Sequence, residues 1–75
     1  MNNQSNINTF PQWILCSEKL PEEDVEVLIS YAGKYVKIAY VEQYNDLKYW
    51  VITGHTVVPI DYVTAWMPRP EPYKS

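Results

Sequence analysis

Cysteine, histidine and glycine are scarce in this sequence, and each scarcity removes a class of chemistry. A single cysteine, Cys16, excludes an intramolecular disulfide and leaves a cysteine-based zinc site without its ligands. The single histidine, His55, needs partners such as Asp61 or Glu42 brought to it by the fold before it can act as a general base or hold a metal. Two glycines, Gly33 and Gly54, are too few for a phosphate-cradling loop of the Walker or dinucleotide kind. Basic residues are also few: six Lys and Arg against nine Asp and Glu give a net charge of -3, the wrong sign for generic binding to nucleic-acid backbones. No apolar run approaches the ~18 residues of a membrane span. Met1 to Asn8 lack the positive charge and apolar stretch of a signal peptide, and a lone thiol suits a reducing compartment, so the expectation is a soluble, cytoplasmic protein.

What remains is apolar and aromatic. The chain has 75 residues, 47% of them hydrophobic and 20% charged, which fits one small globular domain and no more. A domain of this size buries only roughly 60% of the surface of its unfolded chain. With no disulfide available, its core must come from large rings: three Trp, seven Tyr and one Phe. Residues 1–9 are polar and aperiodic and read as a flexible tail, leaving 10–73 as a single small β-rich domain. Glu18, Glu22, Glu23, Asp24 and Glu26 read as a solvated loop leading into a strand, or as a negative patch for a basic partner.

Period-2 alternation dominates the ordered part. Trp13 to Cys16 reads as a short strand or edge segment, followed by a turn in which Ser17 can cap one helical turn before Pro21 ends it. Val25, Val27, Ile29 and Tyr31 alternate with Glu26, Leu28 and Ser30 as a strand. A turn at Tyr31 to Lys34 leads to a second run with Val36, Ile38 and Tyr40 on one face. Tyr44-Asn45-Asp46 marks another turn, Leu47 to Ile52 a third strand, Thr53-Gly54-His55 a break, Pro59-Ile60-Asp61 a bend, and Tyr62 to Trp66 a fourth strand. The fold expected is mainly β: a small antiparallel meander of three to four strands, extended terminal segments packed on it, and at most one short helical turn.

The segments Trp13-Ile14-Leu15-Cys16-Ser17-Glu18-Lys19-Leu20-Pro21-Glu22, Val27-Leu28-Ile29 and Val63-Thr64-Ala65-Trp66-Met67-Pro68-Arg69-Pro70-Glu71-Pro72 resemble the domain of unknown function 551 family, across Trp13 to Pro72. The resemblance implies a small β-rich domain found largely in bacteriophage and prophage genomes, with no established activity for the family as a whole. Ala65 stands where family members often carry His, and Cys16 where Val is usual, so a role built on that histidine does not carry over.

Catalysis finds no complete set of residues. Ser17, His55 and an Asp make a triad by composition only, without a nucleophile elbow or an oxyanion loop. Cys16 reads as a small buried hydrophobe, and Trp13, Trp50 and Trp66 as core. If Val27, Ile29, Val36, Ile38, Trp50 and Ile52 share one face, then Leu28, Tyr35, Lys37, Ala39, Tyr49 and Val51 share the other. That second face is then covered by the chain's own terminal segments or meets another chain. The candidate binding face is therefore Leu28, Tyr35, Lys37, Tyr49 and Val51. The functional expectation is a non-enzymatic, phage-associated protein without cofactor or metal, which inhibits a host defence or regulatory factor by occupying its surface, with a homodimer or higher oligomer as a further possibility. The alternative is an oligomer that sequesters a nucleotide, its phosphate met by Lys34, Lys37, Lys48 or Arg69. The alternate prolines from Met67 to Tyr73 suggest a strap on the domain's own aromatics or a peptide displayed to a partner.

Overall fold

The computed structural model of the protein describes residues 12–73; the expected tail 1–9 and Phe10 lie outside the described residues. Six strands form one antiparallel sheet: β1 (Ile14–Leu15), β2 (Val27–Tyr31), β3 (Tyr35–Tyr44), β4 (Leu47–Ile52), β5 (Thr56–Pro59) and β6 (Ala65–Pro68), in the order β1-β6-β2-β3-β4-β5. The expected antiparallel meander is present as β2 to β4 and continues into β5, whereas the strand expected fourth, β6, crosses back to pair with β2, with β1 beyond it. Among the described residues no helix is long and apolar enough to cross a membrane.

The sheet has two more strands than expected. Thr56–Pro59 pairs with β4, where sequence alone suggested only an approach to a bend. Pro59 has no N–H to donate, and it is tolerated because β5 is an edge strand. The fourth strand expected over Tyr62 to Trp66 starts later, at Ala65, because a 3-10 turn occupies Ile60–Tyr62. That turn is consistent with the expectation of one short helical turn at most. Beyond Pro68 the proline-rich segment is exposed, Tyr73 at 92%, so it does not form a strap over the aromatics.

Three hairpin turns set the registers. Between β3 and β4 the two central residues Asn45 and Asp46 have φ of 53° and 67°, the paired positive values of a type I′ turn. The β2–β3 loop has three residues, Ala32-Gly33-Lys34, with Ala32 at φ 56° and Gly33 at φ 67°, closed by the Lys34 N–H donating to the Tyr31 carbonyl at 3.1 Å. The β4–β5 loop Thr53-Gly54-His55 is closed in the same way, the His55 N–H donating to the Ile52 carbonyl at 3.0 Å. β3 is the spine of the sheet: residues 35–39 pair with β2 and residues 39–44 with β4, so Ala39 alone has both neighbours.

One face of the sheet, here the inner face, carries the core: Val27, Ile29, Val41, Trp50, Ile52 and Trp66, joined by Val63 from the segment that follows the 3-10 turn. A single sheet needs a second layer to keep such a face dry. Here the layer consists of two irregular connections, 16–26 and 60–64. Each is tied down by a buried indole. The Trp66 Nε1–H donates to the Lys19 carbonyl at 2.7 Å, and the Trp50 Nε1–H donates to the Ile60 carbonyl at 3.0 Å. These bonds satisfy both the ring donors and two loop carbonyls that would otherwise lose water. The Cys16 N–H, donating to the Thr64 carbonyl at 2.8 Å, joins the two connections to each other. Pro21, within the first of them, is buried.

Trp13 departs from the expected tryptophan core, being 42% exposed. Ile14 pairs with Trp66 and packs against the core, so the residue before it is directed away by strand alternation. Replacing Trp66 by Phe is expected to cost about 2 kcal/mol, through lost packing and an unpaired Lys19 carbonyl, whereas Trp13→Phe should cost less than about 0.5 kcal/mol. Urea unfolding with unchanged m-values checks both; equal losses would show that the indole bond contributes nothing. Asp46→Gly, which removes a side chain from a φ of 67°, should raise stability by about 0.5–1 kcal/mol in the same assay.

Candidate binding surfaces

Directly paired residues project to the same side of a sheet, so the registers decide which side chains lie together. Val27 faces Ala39, Ile29 faces Lys37 and Tyr31 faces Tyr35, which puts Tyr35, Lys37 and Ala39 on the inner face with Trp50 and Ile52. Leu28 faces Ile38, and Tyr40 faces Val51, which puts Leu28, Ile38, Tyr40, Tyr49 and Val51 on the outer face. The expected common face of Leu28, Tyr35, Lys37, Tyr49 and Val51 is therefore split: Leu28, Tyr49 and Val51 stay together, and Tyr35 and Lys37 lie on the opposite side. Val36 and Ile38 likewise move to the outer face. Two loop lengths are the cause. The two-residue Asn45-Asp46 turn pairs odd-numbered residues of β3 with even-numbered residues of β4, which separates Tyr35 and Lys37 from Tyr49 and Val51. The β2–β3 loop separates them from Leu28. A loop of two or four residues would have paired Val27 with an even-numbered residue, whereas the three-residue loop pairs it with Ala39.

The outer face is nearly uncharged. Among its strand positions only Glu42 is ionisable to a carboxylate, and no Lys or Arg occurs there. Leu28, Ile38, Tyr40, Tyr49 and Val51 are half-buried, and Val36, Tyr44, Leu47 and Val57 are more than half exposed around them. Met67, opposite Leu28, is already buried. Sequence reasoning placed Ile38 and Tyr40 on the other face, and the lengths of the β2–β3 and β3–β4 loops were the signal that would have included them.

The candidate phosphate contacts do not form a single cluster. Arg69 is ion-paired to Glu26, and Lys48 lies 4.0 Å from Glu23. Lys34 is in the β2–β3 turn, and Lys37 lies above two tyrosine rings, 5.5 Å from the centroid of Tyr31 and 5.9 Å from that of Tyr35. The 3-10 turn brings Tyr62 to the same corner, its ring 5.7 Å from that of Tyr31 at 46°. Tyr31 and Tyr62 also belong to a grouping that sequence reasoning did not find, because they are far apart along the chain.

The residues considered for catalysis do not assemble. His55 is exposed in a turn, at φ 74°, at one end of the β4–β5 hairpin. Glu42 and Asp61 belong to the opposite end, where Glu42 faces Tyr49 and Tyr49 faces Pro59. Among the described residues no group of three His, Cys, Asp or Glu is placed to hold a metal ion. Cys16, Ser17 and Asp61 do share the rim of a pocket of about 490 Å³, which is otherwise lined by Leu15, Leu20, Ile60, Val63 and Thr64. Its neighbour, of about 510 Å³, shares Leu20, Ile60 and Asp61 with it. The first hollow lies between the two connections that cover the core, and the second runs from them to the Asn45-Asp46 end of β3 and β4.

Burial pushes the Cys16 thiol above its ordinary range, opposite to what a nucleophile needs. A raised value in the folded state means that the native protein holds this proton more tightly than the unfolded chain. The associated stability is therefore complete below the unfolded thiol value, about 8.5, and is lost as pH rises through the folded one. Relative to Cys16→Val, the parent should lose stability above that pH in urea titrations; parallel curves from neutral pH to about pH 10 would contradict the assignment.

No curated protein and no solved structure matches this chain. The Trp-led opening, the buried Trp66-Met67 pair and the strands between them do have a counterpart in one family model. That model, described as protein of unknown function (DUF551), matches residues 12–74, and the chain belongs to this family.

Proposed function

We propose that the domain is a non-enzymatic protein-binding module that occupies the surface of a partner with its outer sheet face. One observation carries this reading: a multi-strand face bearing Leu28, Ile38, Tyr40, Tyr49 and Val51 has Glu42 as the only charge among its described strand positions, while the core of the opposite face is covered by the chain's own connections. Depletion of charge with enrichment in Tyr is the composition of interface centres. A stable complex needs about 800 Å² from each partner, and a sheet face packs on a second layer about 10 Å away. The partner surface that fits is apolar and relatively flat. In the bacteriophage setting implied by the family resemblance, that partner is a host defence or regulatory protein, met in the cytoplasm.

The test is capture by the tagged full chain from host cells under cross-linking, with sedimentation of the purified protein alongside. A saturable partner should be retained by the parent and by Lys37→Gln, whose side chain is on the inner face, and should be lost at least tenfold with Val51→Asp. Urea unfolding confirms that each variant is folded. Retention of the partner by Val51→Asp, or no saturable partner for the folded parent, would overturn the proposal. A dimer of the parent that Val51→Asp converts to monomer would replace the host partner with a second copy of the chain.

A further inference from the structure

The inner face continues past its core to an exposed corner at the β2–β3 hairpin. Tyr31 and Tyr35 are directly paired there, Lys37 follows on the same face, and the 3-10 turn adds Tyr62. Tyr35 and Tyr62 are 55% and 53% exposed, so their rings are accessible. The Lys37 ammonium lies within cation–π reach of both Tyr31 and Tyr35. Lys34 is in the adjoining turn. Among the described residues no carboxylate lies within ion-pair distance of Lys34 or Lys37, whereas Lys48 and Arg69 both have acidic partners. The nearby Asp61 lines the hollow with Leu20 and Ile60 instead. The Tyr31 phenol is held above the ordinary tyrosine range by its hydrogen bond to Tyr62 and the proximity of that phenol.

In a chain of net charge -3, this corner combines two uncompensated cations with three aromatic rings. A ligand that uses both features carries a flat ring and a dianion a few ångströms apart. An acidic peptide offers only the charge, and an apolar protein surface offers neither. We propose that the corner binds a mononucleotide, with the base stacked on the exposed Tyr35 or Tyr62 ring and the phosphate held by Lys34 and Lys37. Stacking on phenol rings tolerates any base, because every base has a π face. The site therefore reads the nucleotide class and not one base. It lies on the opposite side of the sheet from the proposed protein-binding face and stands or falls independently of it.

The experiment is titration of the full chain with AMP, adenosine, inorganic phosphate and a tetraglutamate peptide, followed by NMR of the tyrosine rings. AMP should saturate with a Kd below about 1 mM, and adenosine and phosphate should each bind at least tenfold more weakly. Lys34→Gln combined with Lys37→Gln should weaken AMP at least tenfold and flatten its dependence on salt. Tyr35→Ala should reduce binding with the salt dependence kept, and Val51→Asp should leave it unchanged. The double lysine variant alters only exposed side chains, so its fold, checked by urea unfolding, keeps the test decisive if Tyr35→Ala loosens the hairpin. No saturable AMP binding, phosphate or tetraglutamate binding as tightly as AMP, or equal AMP affinity in the lysine variant would overturn the proposal.

Discussion

Two indole hydrogen bonds hold this domain together in the sense that matters most for its surfaces. Among the described residues the six-stranded sheet has no long helix and no regular second layer, and irregular chain covers its core face. Irregular chain carries backbone carbonyls that cannot be buried without partners. Trp66 and Trp50 resolve the conflict by supplying large apolar bodies to the core and N–H groups to the Lys19 and Ile60 carbonyls. The same residues thus fill the interior and fasten its cover, which explains how a chain with one cysteine can dispense with cross-links.

This use of the connections determines what is left for recognition. Both crossing segments are spent on the inner face, and Leu28, Ile38, Tyr40, Tyr49 and Val51 remain on the other side without a covering element among the described residues. The inner face is not fully covered either: its β2–β3 end extends past Val63 into the tyrosine and lysine corner. Charge follows the same division. The lysines that belong to strands, Lys37 and Lys48, are both on the inner face and outside its core, while the outer face keeps only Glu42. One side is suited to apolar contact and the far end of the other to an anion.

Much of this was legible in the sequence, and the errors have specific causes. The alternation of Val27, Leu28 and Ile29 identified β2, and Leu47 to Ile52 was read with its observed bounds because turn residues flank it on both sides. The tight turn at Asn45-Asp46 was read from residue types that tolerate positive φ. Loop length was not legible at Ala32-Gly33-Lys34, since one glycine is compatible with two, three or four loop residues, and a difference of one reverses every side chain beyond it. Thr56–Pro59 was missed because four residues ending in proline satisfy a bend as well as an edge strand. The meeting of Tyr31 with Tyr62 depends on a connection crossing the sheet, and no local pattern encodes that crossing. Catalytic competence was the reverse case: Ser17, Cys16 and His55 were present by type, and the register sets His55 at the far end of its hairpin from Glu42 and Asp61.

The divided third strand has a mechanical consequence. Its two halves pair with different strands, β2 over residues 35–39 and β4 over residues 39–44, and they are stitched together at Ala39, by the Thr53 N–H donating to the Ile38 carbonyl at 2.9 Å and by the Asp24 N–H donating to the Val41 carbonyl at 2.9 Å. Opening that begins at the Asn45-Asp46 tip therefore breaks the rungs to β4 from Tyr44 inward before it reaches any rung to β2.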